Sequence, residues 1–153
     1  MNAPLIRFTA LLLVALTTLP TAIFAGETHI VEMRNVAPDD PAEANVFTPP
    51  ILEIEVGDSV LFKVVDKGHN SASKRGMIPD GAEPWNGGMD EEVEITFTVE
   101  GTYGYICLPH YQMGMVGLIL VGDHTINLKD AKKVRQRGGA AKAFKTLFEK
   151  LES

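Results

Sequence analysis

Apolar and polar residues alternate through most of the chain between residues 28 and 122, and the period is two. Leu52, Ile54 and Val56 are interleaved with Glu53 and Glu55, the pattern of a strand with one buried face. After a Gly57-Asp58 turn, Val60, Phe62 and Val64 continue the pattern, while Leu61 and Val65 make this run apolar on both faces. Val93, Ile95, Phe97 and Val99 alternate with Glu94, Thr96 and Thr98 in the most regular strand of the chain. Glu100-Gly101 then turns into Tyr103–Cys107, where the same period puts Tyr103, Tyr105 and Cys107 on one face. Thr28–Val36 is expected as the first strand and Met115–Val121 as the last. Residues 37–44 form a loop rich in Pro and Asp, and residues 66–88 a long Gly-, Pro- and Asn-containing segment of the kind that carries function. Short strands with no helices between them predict an all-β sandwich.

The period changes in the tail. Asn127 is a candidate cap for a helix running to about Arg137, stopped by Gly138-Gly139. Ala140, Phe144, Leu147, Phe148 and Leu151 then recur at helical spacing and form one apolar stripe, which packs most simply on the sandwich. Two helices over about 127–152 are too short for a domain of their own.

The first 25 residues read as an export signal. Arg7 is their only charge, Phe8–Leu19 is an apolar stretch too short to span a bilayer comfortably, and a small residue, Ala25, ends the segment. Residues 26–153 then form one domain of ordinary size. The formal charge of the whole chain is −6, and loss of Arg7 makes the remainder one unit more negative. That balance argues against nucleic acid or an anionic membrane as partner, without excluding a local basic patch. Export also changes the meaning of Cys107, the one cysteine. In an oxidising compartment it has no intramolecular partner, so it is an intermolecular bridge, a reactive thiol or a metal ligand.

Its neighbours favour a metal. Cys107, His110, Met113 and Met115 lie within nine consecutive residues. Thiolate and thioether sulfur are soft donors that select copper, and His69 completes two histidines, one cysteine and one methionine, the donor set of a blue-copper electron-transfer centre. Both methionines have usable spacing; Gly114 lets the chain turn inward at Met115, which favours that one. Pro109 stiffens the loop and removes an N–H that could otherwise reach the sulfur. Asn70 is placed to hydrogen-bond across to the ligand loop. His29 and His124 are rivals to His69, but neither is expected at the same end of the sandwich. Zinc also accepts Cys and His, and a Cys–His nucleophile pair is a further alternative. The methionine argues against the first, and no orienting partner or substrate cleft supports the second. Copper storage or delivery competes with electron transfer as the use of such a site.

The stretches Val56-Gly-Asp-Ser-Val60, Asp66-Lys-Gly-His-Asn70, Lys74-Arg-Gly-Met-Ile-Pro-Asp-Gly-Ala82 and Cys107-Leu-Pro-His-Tyr-Gln-Met-Gly-Met115 resemble the pseudoazurin family of small periplasmic blue-copper proteins, in the cupredoxin superfamily. The resemblance runs from about Thr28 into the helical tail. It implies a Greek-key β-sandwich of about eight strands with two C-terminal α-helices. It implies one type 1 copper ion held by His69, Cys107, His110 and Met115, with Asn70 bracing the sulfur and the ligand loop. It also implies a monomeric electron carrier, not an enzyme, that exchanges single electrons with periplasmic redox proteins: a cytochrome-type donor and an acceptor such as copper nitrite reductase. An apolar patch around His110 is expected from Leu108, Pro109, Met113 and Met77. Lysines that ring the exposed histidine in such proteins read here as Asn86, Gly88 and Ile106, with Lys67 retained and Lys74 and Arg75 nearby. The positive docking face is therefore expected to be weak.

Overall fold

The computed structural model describes residues 26–152. The signal expected over residues 1–25 lies outside the described residues. Eight strands form two four-stranded sheets. One has the order β2-β1-β4-β6 and is built from β1 (Thr28–Val36), β2 (Ala44–Thr48), β4 (Ser59–Val64) and β6 (Val93–Thr96). The other has the order β3-β8-β7-β5 and is built from β3 (Ile51–Ile54), β5 (Ala72–Ser73), β7 (Gly101–Ile106) and β8 (Val116–Val121). Both sheets are mixed: β1 runs parallel to β4 and β3 parallel to β8, with the remaining pairs antiparallel. Two helices, α1 (Thr125–Lys133) and α2 (Gly139–Lys150), close the chain.

The alternation seen in the sequence has a direct cause. Val31, Met33, Phe47, Phe62, Phe97, Tyr103, Tyr105 and Ile119 meet between the sheets in one core, and the intervening residues of β1, β4 and β6 face outward. The strands β7 and β8 are different, since all six residues of each are buried. Their outer face carries Ile106, Val116, Leu118 and Leu120, and Phe144, Leu147 and Phe148 of α2 cover it. A strand buried on both sides shows a continuous apolar run instead of alternation, as Met115–Val121 does.

Four local expectations change. The strand β2 starts where the expected 37–44 loop ends, in a stretch given no element, and β5 lies inside the segment read as loop; β2 has Phe47 as its one fully buried residue, and β5 is two residues long. Val56 lies in the turn after β3 and is 47% exposed, so the β3 alternation stops at Ile54. Asn127 does not cap α1, which starts at Thr125 and ends at Lys133 with Val134 extended. Its side chain instead accepts from Thr102 N–H at 2.7 Å and donates to Thr102 C=O at 2.8 Å, clamping the helix to β7. Ile106 is 7% exposed beneath α2, so it is no position for a docking lysine.

Candidate metal centre

Each sheet supplies one side of the site. The β7–β8 connection begins at Cys107 and rejoins the ladder at Met115, where Cys107 N–H donates to Met115 C=O at 3.0 Å. Between them lies a 3₁₀ turn, Tyr111–Met113, closed by Gly114 at φ 107°. Only glycine adopts that backbone without strain, and it returns the chain to Met115 and the start of β8 (Val116–Val121). His69 arrives from the loop after β4, in the opposite sheet. Asp90 N–H donates to its carbonyl at 2.9 Å, and Gly68 N–H donates to the Asp90 carboxylate.

His69, Cys107 and His110 converge. Their ligand atoms all lie within 4.8 Å of one another. His69 Nδ1 stands 3.1 Å from His110 Nδ1, and Cys107 Sγ stands 3.8 Å and 3.5 Å from those two nitrogens. Bonds of about 2.0 Å to nitrogen and about 2.3 Å to sulfur hold donors of one ion roughly this far apart. His69 and Cys107 are fully buried, while His110 is partly exposed.

The protonation states suit a metal. His69 Nε2–H donates to Asn35 Oδ1 at 3.0 Å, which leaves Nδ1 unprotonated and aimed at the sulfur. Burial, and then the neighbouring His110, hold the His69 pKa below its usual value and favour the neutral ring; Asp66 and Asp90 oppose this. Burial pushes the Cys107 thiol up, against the pull of the Asn70 and His110 backbone N–H groups. A thiol so buried is inert until a cation replaces its proton.

The remaining expected residues are placed as follows. Met115 is 1% exposed and belongs to the same core cluster as Cys107, whereas Met113 is 61% exposed. Asn70 is buried; its Oδ1 accepts from Leu108 N–H at 2.8 Å and its Nδ2 donates to Gly87 C=O at 3.0 Å, tying three loops together. Pro109 is exposed between Leu108 and His110. His29 bonds Asp58, and His124 stands at the start of α1, so neither joins the cluster. Met77 is fully buried under β7, where Gln136 Nε2 donates to its sulfur, and it takes no part in a surface patch. Met89, 51% exposed, is one residue from the Asp90 that holds His69, and Leu108 and Met113 are exposed on the ligand loop itself. Sequence reasoning missed Asn35 because nothing at the end of a strand distinguishes a histidine-binding asparagine from a solvated one.

The sequence profile of the copper-binding proteins, plastocyanin/azurin family, matches residues 35–122. A pseudoazurin from Methylorubrum extorquens is 38% identical over 148 residues, covering 97% of this chain and 96% of its own. The chain belongs to the pseudoazurins. A pseudoazurin from Paracoccus pantotrophus is 39% identical over 121 residues, 79% of this chain and 81% of its own. The crystal structure of the pseudoazurin from Methylobacterium extorquens AM1 superposes with a TM-score of 0.76 at 38% identity, covering 82% of this chain and 99% of that one. As a pseudoazurin, the chain is a cupredoxin that binds copper and transfers electrons to and from redox partners; it is a carrier and not an enzyme. The two-nitrogen, one-sulfur cluster fits a type 1 copper site.

Proposed function

We propose that His69, Cys107, His110 and Met115 of this pseudoazurin would hold one copper ion, and that the protein works as a one-electron shuttle in the periplasm. The observation that supports the reading best is the convergence of two Nδ1 atoms and a buried thiol within 4.8 Å, with Met115 buried in the same cluster. The bound copper would supply a single-electron couple, Cu(I)/Cu(II). The protein supplies a fixed frame. Asn35 fixes the His69 ring, Asn70 fixes the loop at Leu108, and the Cys107–Met115 backbone bond closes that loop. Donors held this firmly move little when the charge on the ion changes. Of the three clustered donors only His110 reaches the surface. Its ring edge is the port for electrons, and the exposed Leu108, Pro109 and Met113 of the same loop give it an apolar surround suited to transient redox encounters.

Residues 1–25 would direct export, and residues 26–153 would act as a monomer. Copper nitrite reductase is the acceptor and a cytochrome-type protein the donor in this reading. No helix among the described residues is long and apolar enough to cross a membrane. The test is optical and magnetic. Copper-loaded protein should show intense visible thiolate-to-copper absorption and a narrow copper hyperfine splitting in EPR, and Cys107→Ala should lose both while remaining folded. A colourless Cu(II) protein at full loading would overturn the reading.

A further inference from the structure

The charge around the copper end is divided between two flanks. One flank is basic. The chain from Ala131 to Phe148 carries Lys132, Lys133, Arg135, Arg137, Lys142 and Lys145 and no acidic residue. Its middle, the α1–α2 connection, is bound to the ligand loop: Tyr111 O–H donates to Gln136 Oε1 at 2.8 Å, and Arg137 N–H donates to Tyr111 Oη at 3.2 Å. From the other side of Tyr111, Lys74 Nζ sits 5.0 Å from the ring centroid, beside the exposed Arg75. The Lys74 ammonium and the Arg137 backbone thus meet Tyr111, the residue next to His110, and Arg75 and Arg135 are exposed beside them along the chain. Among the described residues none of these four has an ion-pair partner.

The opposite flank is acidic. Asp66 and Asp90 both act electrostatically on His69, and both hold backbone around it. Glu91 and Glu92 continue this edge in the exposed chain. Asp39, Asp40 and Glu43 line the groove that also runs past Met113 and Met115. Lys67 lies on this flank, Arg34 acts electrostatically on Asp66, and Lys142 and Lys150 of α2 face Asp39, Asp40 and Glu43 across the groove. Among the described residues no ion pair joins Asp66, Asp90, Glu91 or Glu92 to Lys74, Arg75, Arg135 or Arg137.

We propose that this bipolar rim orients the redox partner about the His110 port. The partner it fits is a protein with an apolar docking centre, an acidic edge for the Tyr111 side and a basic edge for the Asp90 side. A ring of one charge attracts a partner but leaves its rotation free. Two opposed flanks fix that rotation and disfavour a partner whose rim is acidic all round, because like charges across an interface are costly. The inference rests on the electron-transfer reading of the site, and the test separates the two.

Stopped-flow electron transfer with two small probes reads the flanks independently. Hexacyanoferrate(II), an anion, gives one electron to the oxidised protein. Tris(1,10-phenanthroline)cobalt(III), a cation, takes one electron from the reduced protein. Charges within about 10 Å of the port dominate at about 0.1 M salt, so local flanks and net charge make different demands. With a bipolar rim, both rates fall about threefold or more as ionic strength rises from about 10 to 200 mM. The double variant Arg135→Glu/Arg137→Glu abolishes the fall for hexacyanoferrate(II) and leaves the cobalt slope in place. Asp39→Asn/Glu91→Gln weakens the cobalt slope alone. A hexacyanoferrate(II) rate that rises with salt in the unmodified protein, as the net negative charge dictates, overturns the bipolar rim while leaving the carrier reading intact. Slopes that move together in every variant also overturn it. Loss of the visible band in the loaded protein overturns both, since without the copper port there is nothing for the rim to orient.

Discussion

At the scale of single residues, two side chains test whether the site is set by hydrogen bonding. Asn35 stands on β1, far from the ligand loop in sequence, yet its Oδ1 decides which nitrogen of His69 carries the proton. Its own N–H donates to Asp66 at 2.8 Å, so the asparagine is itself held. Asn35→Ala leaves the His69 ring free to adopt the other tautomer. Copper affinity should fall about 10–100-fold, measured by competition with a chelator of known affinity; an unchanged affinity would show that burial alone orients the ring. Tyr105 makes the contrary case. Its ring packs edge-on against Phe47 and Phe62 at 4.7 and 5.1 Å, and its hydroxyl is buried without a hydrogen-bond partner among the described residues. Burial also pushes its pKa far up. A β-carbon on Gly117 would come within 2.3 Å of that hydroxyl, so glycine is required beneath it. Leaving such a group unpaired costs about 1–3 kcal/mol. Tyr105→Phe should therefore stabilise the metal-free protein by roughly 1 kcal/mol in urea denaturation, and a loss of stability would contradict the assignment.

At the scale of elements, β7 and β8 are the axis of the molecule, packed against the other sheet on one face and against α2 on the other. Phe144 lies at the centre of the covered face, 1% exposed and ring-stacked with Phe148. Phe144→Ala should cost about 3–5 kcal/mol in equilibrium unfolding. The visible band of loaded protein should be unchanged, because the donors converge on the side of β7 away from this residue. The apolar stripe of α2 was legible in the sequence because a helix that covers a sheet must repeat its apolar residues on one face. The half-exposed strands β1, β4 and β6 were legible from their alternation. β2 was not, because a short edge strand holding one buried phenylalanine among Pro and Asp has too few positions to show a period. The cap role of Asn127 was misread for a related reason. A side chain that can bond helix N–H groups can equally bond Thr102, and only tertiary packing chooses. The clustered donors were legible because Cys, His and Met carry their chemistry in their identity. Asn35 and the α1–α2 connection act through where the fold brings them, which residue type does not encode.

At the scale of the whole molecule, the sandwich is joined at both ends by polar devices of different chemistry. At one end His69 from one sheet meets Cys107 and His110 from the other. At the far end the Asp58 carboxylate joins the start of β1 to the β3–β4 turn. It accepts from His29 Nε2–H at 2.9 Å, from Glu27 N–H at 2.8 Å and from Glu55 N–H at 3.1 Å. The His29 bond, then the two backbone donors, hold its pKa below the ordinary aspartate value, with burial opposing. The direction of the pH dependence follows. A carboxylate whose folded pKa is depressed stabilises the fold in its ionised form, so its contribution is fully present above the unfolded value near 4. It is lost as pH falls from there through the folded value, because the unfolded chain takes up the proton first. Acid also displaces copper from its protonatable ligands, so the two ends must be separated. In metal-free protein, thermal stability should hold steady above about pH 5 and drop below about pH 4. Asp58→Asn should lower the melting temperature at neutral pH and flatten the acid drop, since the amide has no proton to gain and cannot accept three charge-assisted bonds. An Asp58→Asn protein whose acid limb stays as steep as the parent's would place the acid sensitivity elsewhere in the fold.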